Sequence, residues 1–106
     1  MKRDLELIRQ ILFAVEAKPD FNDLLSRKKM NLTNWSEVEI NYHLLLLDEA
    51  GYLKIHKEGS DNQLHCWAMR LTWRGHEFLD AARDNARWNK ALSVLGRFGS
   101  FGFDVL

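Results

Sequence analysis

The stretch that most constrains this chain is SEVEINYHLLLLDEAGYLKI, residues 36–55. Ser36 with Glu39 three positions later is a capping-box pattern, so a helix begins there. Gly51 supplies the left-handed residue that stops it at about Ala50. Tyr52 to Lys57 then alternates as a strand, which makes the class α+β. A length of 106 residues buries one modest core and not two, so helix and strand must share it.

The flanking segments supply the rest. Ile8, Ile11, Leu12 and Val15 hold the i, i+3, i+4, i+7 spacing of one helical face, with Leu5 a turn earlier and Asp4 placed to cap. Pro19 closes this first helix at about Lys18. Residues 20–35 have no sustained period, and KKMNLT within them reads as a short strand before a turn. EGSDN, residues 58–62, is a turn, and Gln63 to Leu71 is a second strand, so 52–57 and 63–71 are expected to pair antiparallel. Thr72 caps a long last helix whose Phe78, Ala81, Ala82, Trp88, Leu92 and Leu95 fall on one side. It should end near Gly96. The folded domain is then 1–95, followed by a Gly/Phe-rich tail, 96–106. Its Phe98, Phe101 and Phe103 are costly to leave in water and should dock on the chain's own core or on a partner.

The order helix, short strand, helix, hairpin, helix resembles the winged-helix plan with one helix missing or eroded between Pro19 and Ser36. YHLLLLDEAGYL is similar to the end of the recognition helix and the start of the wing in many bacterial winged-helix regulators. LTWRGHEFLDAARDNARWNK resembles the segment after such a wing. With the opening MKRDLELIRQIL, the chain resembles a family of short bacterial and prophage proteins catalogued as a domain of unknown function, over about residues 1–92. The resemblance implies a winged-helix-like fold and association with mobile elements. It implies no catalytic residues and no cofactor.

In a helix-turn-helix reader, the helix over 36–50 would enter the major groove. Placed on a wheel, Ile40, His43, Leu44 and Leu47 share the face that meets the core. Val38, Tyr42 and Leu45 cluster opposite, with Leu46 at the margin, where a reader would show Arg, Asn, Gln or Lys. Its charged residues, Glu37, Glu39, Asp48 and Glu49, all repel phosphate. Either this apolar face is covered within the domain, by the 20–35 segment or the tail, or it docks on another protein or a second copy. Tyr42 is the natural anchor for such docking.

Charge agrees with protein contact over nucleic acid. Lys plus Arg equals Asp plus Glu at 15 each, so no long-range positive field gathers nucleic acid or anionic membrane. Local phosphate contacts would fall to Arg27, Lys28 and Lys29 before the helix and to Lys54 and Lys57 in the hairpin. On the last helix, Asp80 with Arg83 and Asp84 with Arg87 have the spacing of ordinary surface pairs.

Other function classes find little support. The longest apolar run is Leu44 to Leu47, far below the ~20 residues that span a bilayer. MKRDLELIRQ has no signal-peptide pattern, so a cytoplasmic location is expected. Cys66 is the single cysteine, which excludes an internal disulfide and fits a reducing compartment. His43, His56, His65 and His76 have no ligand-spaced partners, and adjacent His65 and Cys66 point to opposite faces of a strand. No phosphate cradle, nucleophile elbow or HExxH occurs. No metal, cofactor, small-molecule substrate or enzymatic activity is expected. Trp35, Trp67, Trp73 and Trp88 should fill core between hairpin and helices, although Trp67 could face an interface. The sequence thus points to a non-enzymatic interaction module, acting through a protein partner or as a homodimer. The competing expectation is a homodimeric DNA-binding regulator that uses hairpin and basic loop.

Overall fold

The computed structural model describes residues 1–60 and 63–98. In order, the elements are α1 (Leu5–Glu16), α2 (Arg27–Met30), α3 (Glu37–Glu49), β1 (Leu53–Ser60), β2 (Gln63–Leu71), α4 (Trp73–Ala82) and α5 (Asn85–Phe98). The protein is α+β, with a two-stranded antiparallel hairpin between α3 and α4. No helix among the described residues is long and apolar enough to cross a membrane.

The caps around α3 form as its residues demand. Ser36 Oγ accepts from Glu39 N at 3.1 Å while Glu39 Oε1 accepts from Ser36 N at 3.1 Å. At the other end Gly51 takes φ 80°. Tyr52 N then reaches Leu47 O at 3.0 Å and Gly51 N reaches Asp48 O at 3.1 Å, which satisfies carbonyls the helix leaves open. Ile40, His43, Leu44 and Leu47 are its buried residues, the face given by the wheel.

α1 lies centrally, packed on β2, α3 and α4. That position buries Leu7 and Arg9 as well as Ile8, Ile11, Leu12 and Val15, a wider arc than the spacing alone implied. Asp4 ties its start to α3. Its Oδ1 accepts from Leu7 N at 3.1 Å, its Oδ2 accepts from Trp35 Nε1 at 2.8 Å, and its own N–H donates to His43 Nε2 at 2.8 Å.

Three sequence expectations fail locally. The strand does not stop at Lys57 before an EGSDN turn: Glu58, Gly59 and Ser60 pair with His65, Leu64 and Gln63 as the end of β1. KKMNLT is not a strand: Ser26 Oγ accepts from Lys29 N at 3.2 Å to start α2, and Asn31 ends it in the left-handed region at φ 57°. Asn tolerates that region better than most side chains, so the four-residue helix is closed by its own sequence. Extended pairing occurs earlier, at Leu25, whose N–H and C=O bond Ala68 at 2.8 and 2.9 Å. The long last helix is two helices. Asp84 Oδ1 accepts from Ala86 N at 2.9 Å and Arg87 N at 3.2 Å, capping a new start for α5. Asp84 therefore caps backbone in place of the expected pairing with the Arg87 side chain, whereas Asp80 does pair with Arg83 at 3.0 Å.

Arg9 fixes the junction between those helices. Its Nε donates to Ala82 O, the end of α4, at 2.9 Å, and its Nη2 donates to Asn85 Oδ1. The guanidinium also lies over the Trp88 ring, and Trp88 Nε1 donates to Glu6 Oε2 at 2.7 Å. Trp88 is core, at 1% exposure, and Trp35 packs against that core. Trp73, by contrast, is 83% exposed. Gly75, Phe78, Leu79 and Ala82 face inward on α4, and two residues back from Gly75 is about 200° around the helix, so Trp73 faces away.

The LTWRG sequence has a steric cause. Thr72 Oγ1 accepts from Gly75 N at 3.0 Å and donates to Gly51 O at 2.6 Å, holding the start of α4 against the residues before β1. A Cβ on Gly75 would stand 2.0 Å from Tyr52 O. Gly75→Ala should therefore cost about 1–3 kcal/mol through backbone displacement, lowering the melting temperature by roughly 4–8 °C per kcal/mol. An unchanged melt would contradict this packing.

The Glu16–Arg83 pair ties the end of α1 to the end of α4, with Arg83 Nη1 and Nη2 donating to the two Glu16 oxygens at 3.0 and 2.6 Å. The hydrogen bonds from Arg83 hold the Glu16 carboxyl below its ordinary value of 4.5. The folded state then binds fewer protons than the unfolded chain, so the pair's modest stabilisation is present above that value and is lost as the pH falls through the lower folded one. Thermal melts of the protein and Arg83→Gln should converge as the pH is lowered through that window. A gap that widens toward acid would reverse the assigned sign.

Candidate functional site

The hairpin has two chemically different faces. Its register is Leu53↔Leu71, Lys54↔Arg70, Ile55↔Ala68, His56↔Trp67, Lys57↔Cys66, Glu58↔His65, Gly59↔Leu64 and Ser60↔Gln63, with an irregularity at Lys54/Ile55 that leaves Met69 unpaired. Cross-strand partners share a face. Leu53, Ala68, Cys66 and Leu71 are buried on the side packed against the helices. Cys66 lies there with its thiol pKa pushed up by burial, while His65 beside it is exposed on the other side. The expected opposition of the two holds.

β2 has one edge that β1 does not cover, and alternate residues expose their backbone groups along it. Leu25 takes up both groups of Ala68. The Asn41 carboxamide of α3 takes up the next positions, accepting from Cys66 N at 3.1 Å and donating to Leu64 O at 2.5 Å. One side chain thus does what another strand would do, and it fixes α3 beside the hairpin.

That fastening creates a groove of about 500 Å³ between the outer face of α3 and the far part of β2, lined by Met1, Arg27, Val38, Tyr42, Leu45 and Leu64 among others. Val38 is 65% and Leu64 39% exposed. Tyr42 is half-buried. Leu45 lies between the two alternatives drawn from sequence: it is half-buried, lines the groove and also packs on the core. Leu46 is half-buried but does not line the groove. Phe101 and Phe103 lie outside the described residues, as does the side chain of Phe98, the last residue of α5. Leu64 and Asn41 were missed from sequence. The one signal was an amide at position 41 in an otherwise apolar and acidic helix.

The basic residues are divided. Arg27 lies 3.5 Å from Glu37, and Lys57 lies 3.7 Å from Asp48. Both are drawn to acids of α3 rather than presented for phosphate. Lys28, Lys29 and Lys54 are exposed. His43 is fully buried, and a backbone N–H can only donate, so its Nε2 is the lone-pair nitrogen and its Nδ1–H donates to Glu39 O at 2.7 Å. Both ring nitrogens are occupied structurally. Among the described residues, no three His, Cys, Asp or Glu side chains group as metal donors.

Asn41→Ala should remove both edge bonds and orphan the Cys66 N–H, at a cost of about 1–3 kcal/mol. Amide exchange at Cys66 should accelerate more than at the core amides of α1. Unchanged protection of Cys66 would show that Asn41 does not hold the strand edge.

Comparison with known proteins places the chain without assigning it an activity. No solved structure matches it. A protein of Haemophilus influenzae described as uncharacterized is 35% identical over 95 residues, covering 90% of this chain and 79% of the relative. The model of the family described as "Hypothetical protein (DUF2513)" matches residues 2–100. The chain belongs to the DUF2513 family.

Proposed function

We propose that this protein is a non-enzymatic, winged-helix-like module that works by protein contact through the groove beside α3, with another protein or a second copy as occupant. The association with mobile elements implied by the sequence resemblance makes a phage or host protein a suitable partner. The winged-helix reading is supported by the order α1, bridge at Leu25, α2, α3 and hairpin, in which the bridge stands where a short third strand would lie. The observation that carries the function is the apolar wall formed by exposed Val38 and half-buried Tyr42 and Leu45 on the helix that a DNA reader would insert, together with exposed Leu64 of β2. Duplex recognition needs donors aimed at base edges and cations at phosphates. α3 supplies acids that pair with the nearest cations. Of the five cations that the sequence offers to the competing reading, a dimeric regulator, Lys28, Lys29 and Lys54 are the ones not drawn to acids of α3.

Val38→Glu tests the proposal because the residue is largely exposed, so the fold should survive. Association, read as mass by light scattering or as recovery of the bound protein, should be lost, with the melting temperature unchanged. Loss of duplex binding in this variant with association intact would favour the regulator instead.

A further inference from the structure

The hairpin face turned away from the helices carries, among its cross-strand pairs, Lys54 opposite Arg70, His56 opposite Trp67, and Glu58 opposite His65. The first pair is unusual. Like charges directly opposite each other on a sheet repel and destabilise the pairing. Both side chains are exposed, and among the described residues neither has an ion-pair partner. Arg70 makes only a long 3.5 Å contact to Leu71 O. Three residues along β2 from Arg70, past the unpaired Met69, stands the half-buried Trp67. Its partner His56 lies two residues, about 7 Å, from Lys54 along β1, and the ring centroids of His56 and His65 lie 5.5 and 6.3 Å from that of Trp67. This places two cations and an aromatic platform on one face.

We propose that this outer hairpin face binds single-stranded nucleic acid, with a base stacked on Trp67 between the imidazoles and phosphates held by Lys54 and Arg70. An anion between the two cations would relieve their repulsion. A splayed single strand offers base faces to an aromatic ring, whereas a duplex hides them in its own stack. The acids nearby do not cancel the pair. Glu58 bonds His56 at 3.0 Å and lies about 13 Å along the strand from Lys54. Asp20 and Asp23 act on Lys18, whose ammonium donates to Met69 O. Of the residues named for this site, His65 also lines the α3 groove, while Lys54, His56, Trp67 and Arg70 do not, so variants at Trp67 and Arg70 test this site without touching the groove.

The test is fluorescence anisotropy of the full chain with a short fluorescein-labelled mixed-sequence oligodeoxynucleotide at low salt. The same sequence as a duplex and free nucleotide monophosphate serve as competitors. Single strand should bind more tightly than either competitor, with a log–log salt slope of about −1.4 for two neutralised phosphates. Trp67→Ala should weaken binding by about 5- to 150-fold. Arg70→Glu should also weaken it and halve the slope. Because Arg70→Glu sets opposite charges across the strands, its melting temperature should not fall, which separates lost binding from lost folding. Absence of single-strand binding, duplex competing better than single strand, free nucleotide competing equally, or affinity unmoved in folded Arg70→Glu would each overturn the proposal.

Discussion

The free edge of β2 is the constraint around which the functional half of this molecule is arranged. A two-stranded hairpin has unpaired backbone groups on both sides, and a buried edge must find donors and acceptors. Here Leu25 supplies one pair of bonds and the Asn41 carboxamide supplies the next. Because Asn41 belongs to α3, satisfying the strand also fixes the helix beside the hairpin. The outer residues of α3 face Leu64 across a groove. The acids of α3 complete the arrangement by engaging Arg27 and Lys57.

What could be read from sequence was whatever local chemistry decides. Ser36 with Glu39, Asp4 and Thr72 each announce a helix start through a side chain and a backbone group only a few positions apart, Gly51 announces a helix end through its left-handed backbone, and all four act as expected. Alternation on both sides of the turn likewise gave the hairpin. α2 was misread because KKMNLT has no strong period, and the decision falls to the Ser26 cap and left-handed Asn31. The division of α4 from α5 had a local cause in Asp84, but it is held by Arg9, more than seventy positions away. Arg9 stands beside the apolar stripe of α1 and looks like an ordinary solvated charge. Only the folded chain shows that it serves a helix end.

The candidate groove was half legible for the same reason. Val38, Tyr42 and Leu45 lie on one helix, and their spacing brings them together. Leu64 comes from a strand whose register no helical wheel can supply. The hairpin then separates two kinds of surface. Toward α3 it contributes Leu64 to an apolar wall, and on the reverse it displays charged and aromatic pairs. Zero net charge is compatible with both, since docking by apolar contact needs no field and a two-phosphate site needs only local cations.

The central claim is that the outward face of α3 touches protein. A photo-crosslinking phenylalanine analogue placed at position 38, in the cells that naturally carry the gene, reports what lies against that face. The account predicts an adduct that survives nuclease and is degraded by protease to a peptide of a second polypeptide, either another copy or a partner. A nuclease-sensitive adduct at position 38 would put nucleic acid against α3 and contradict it.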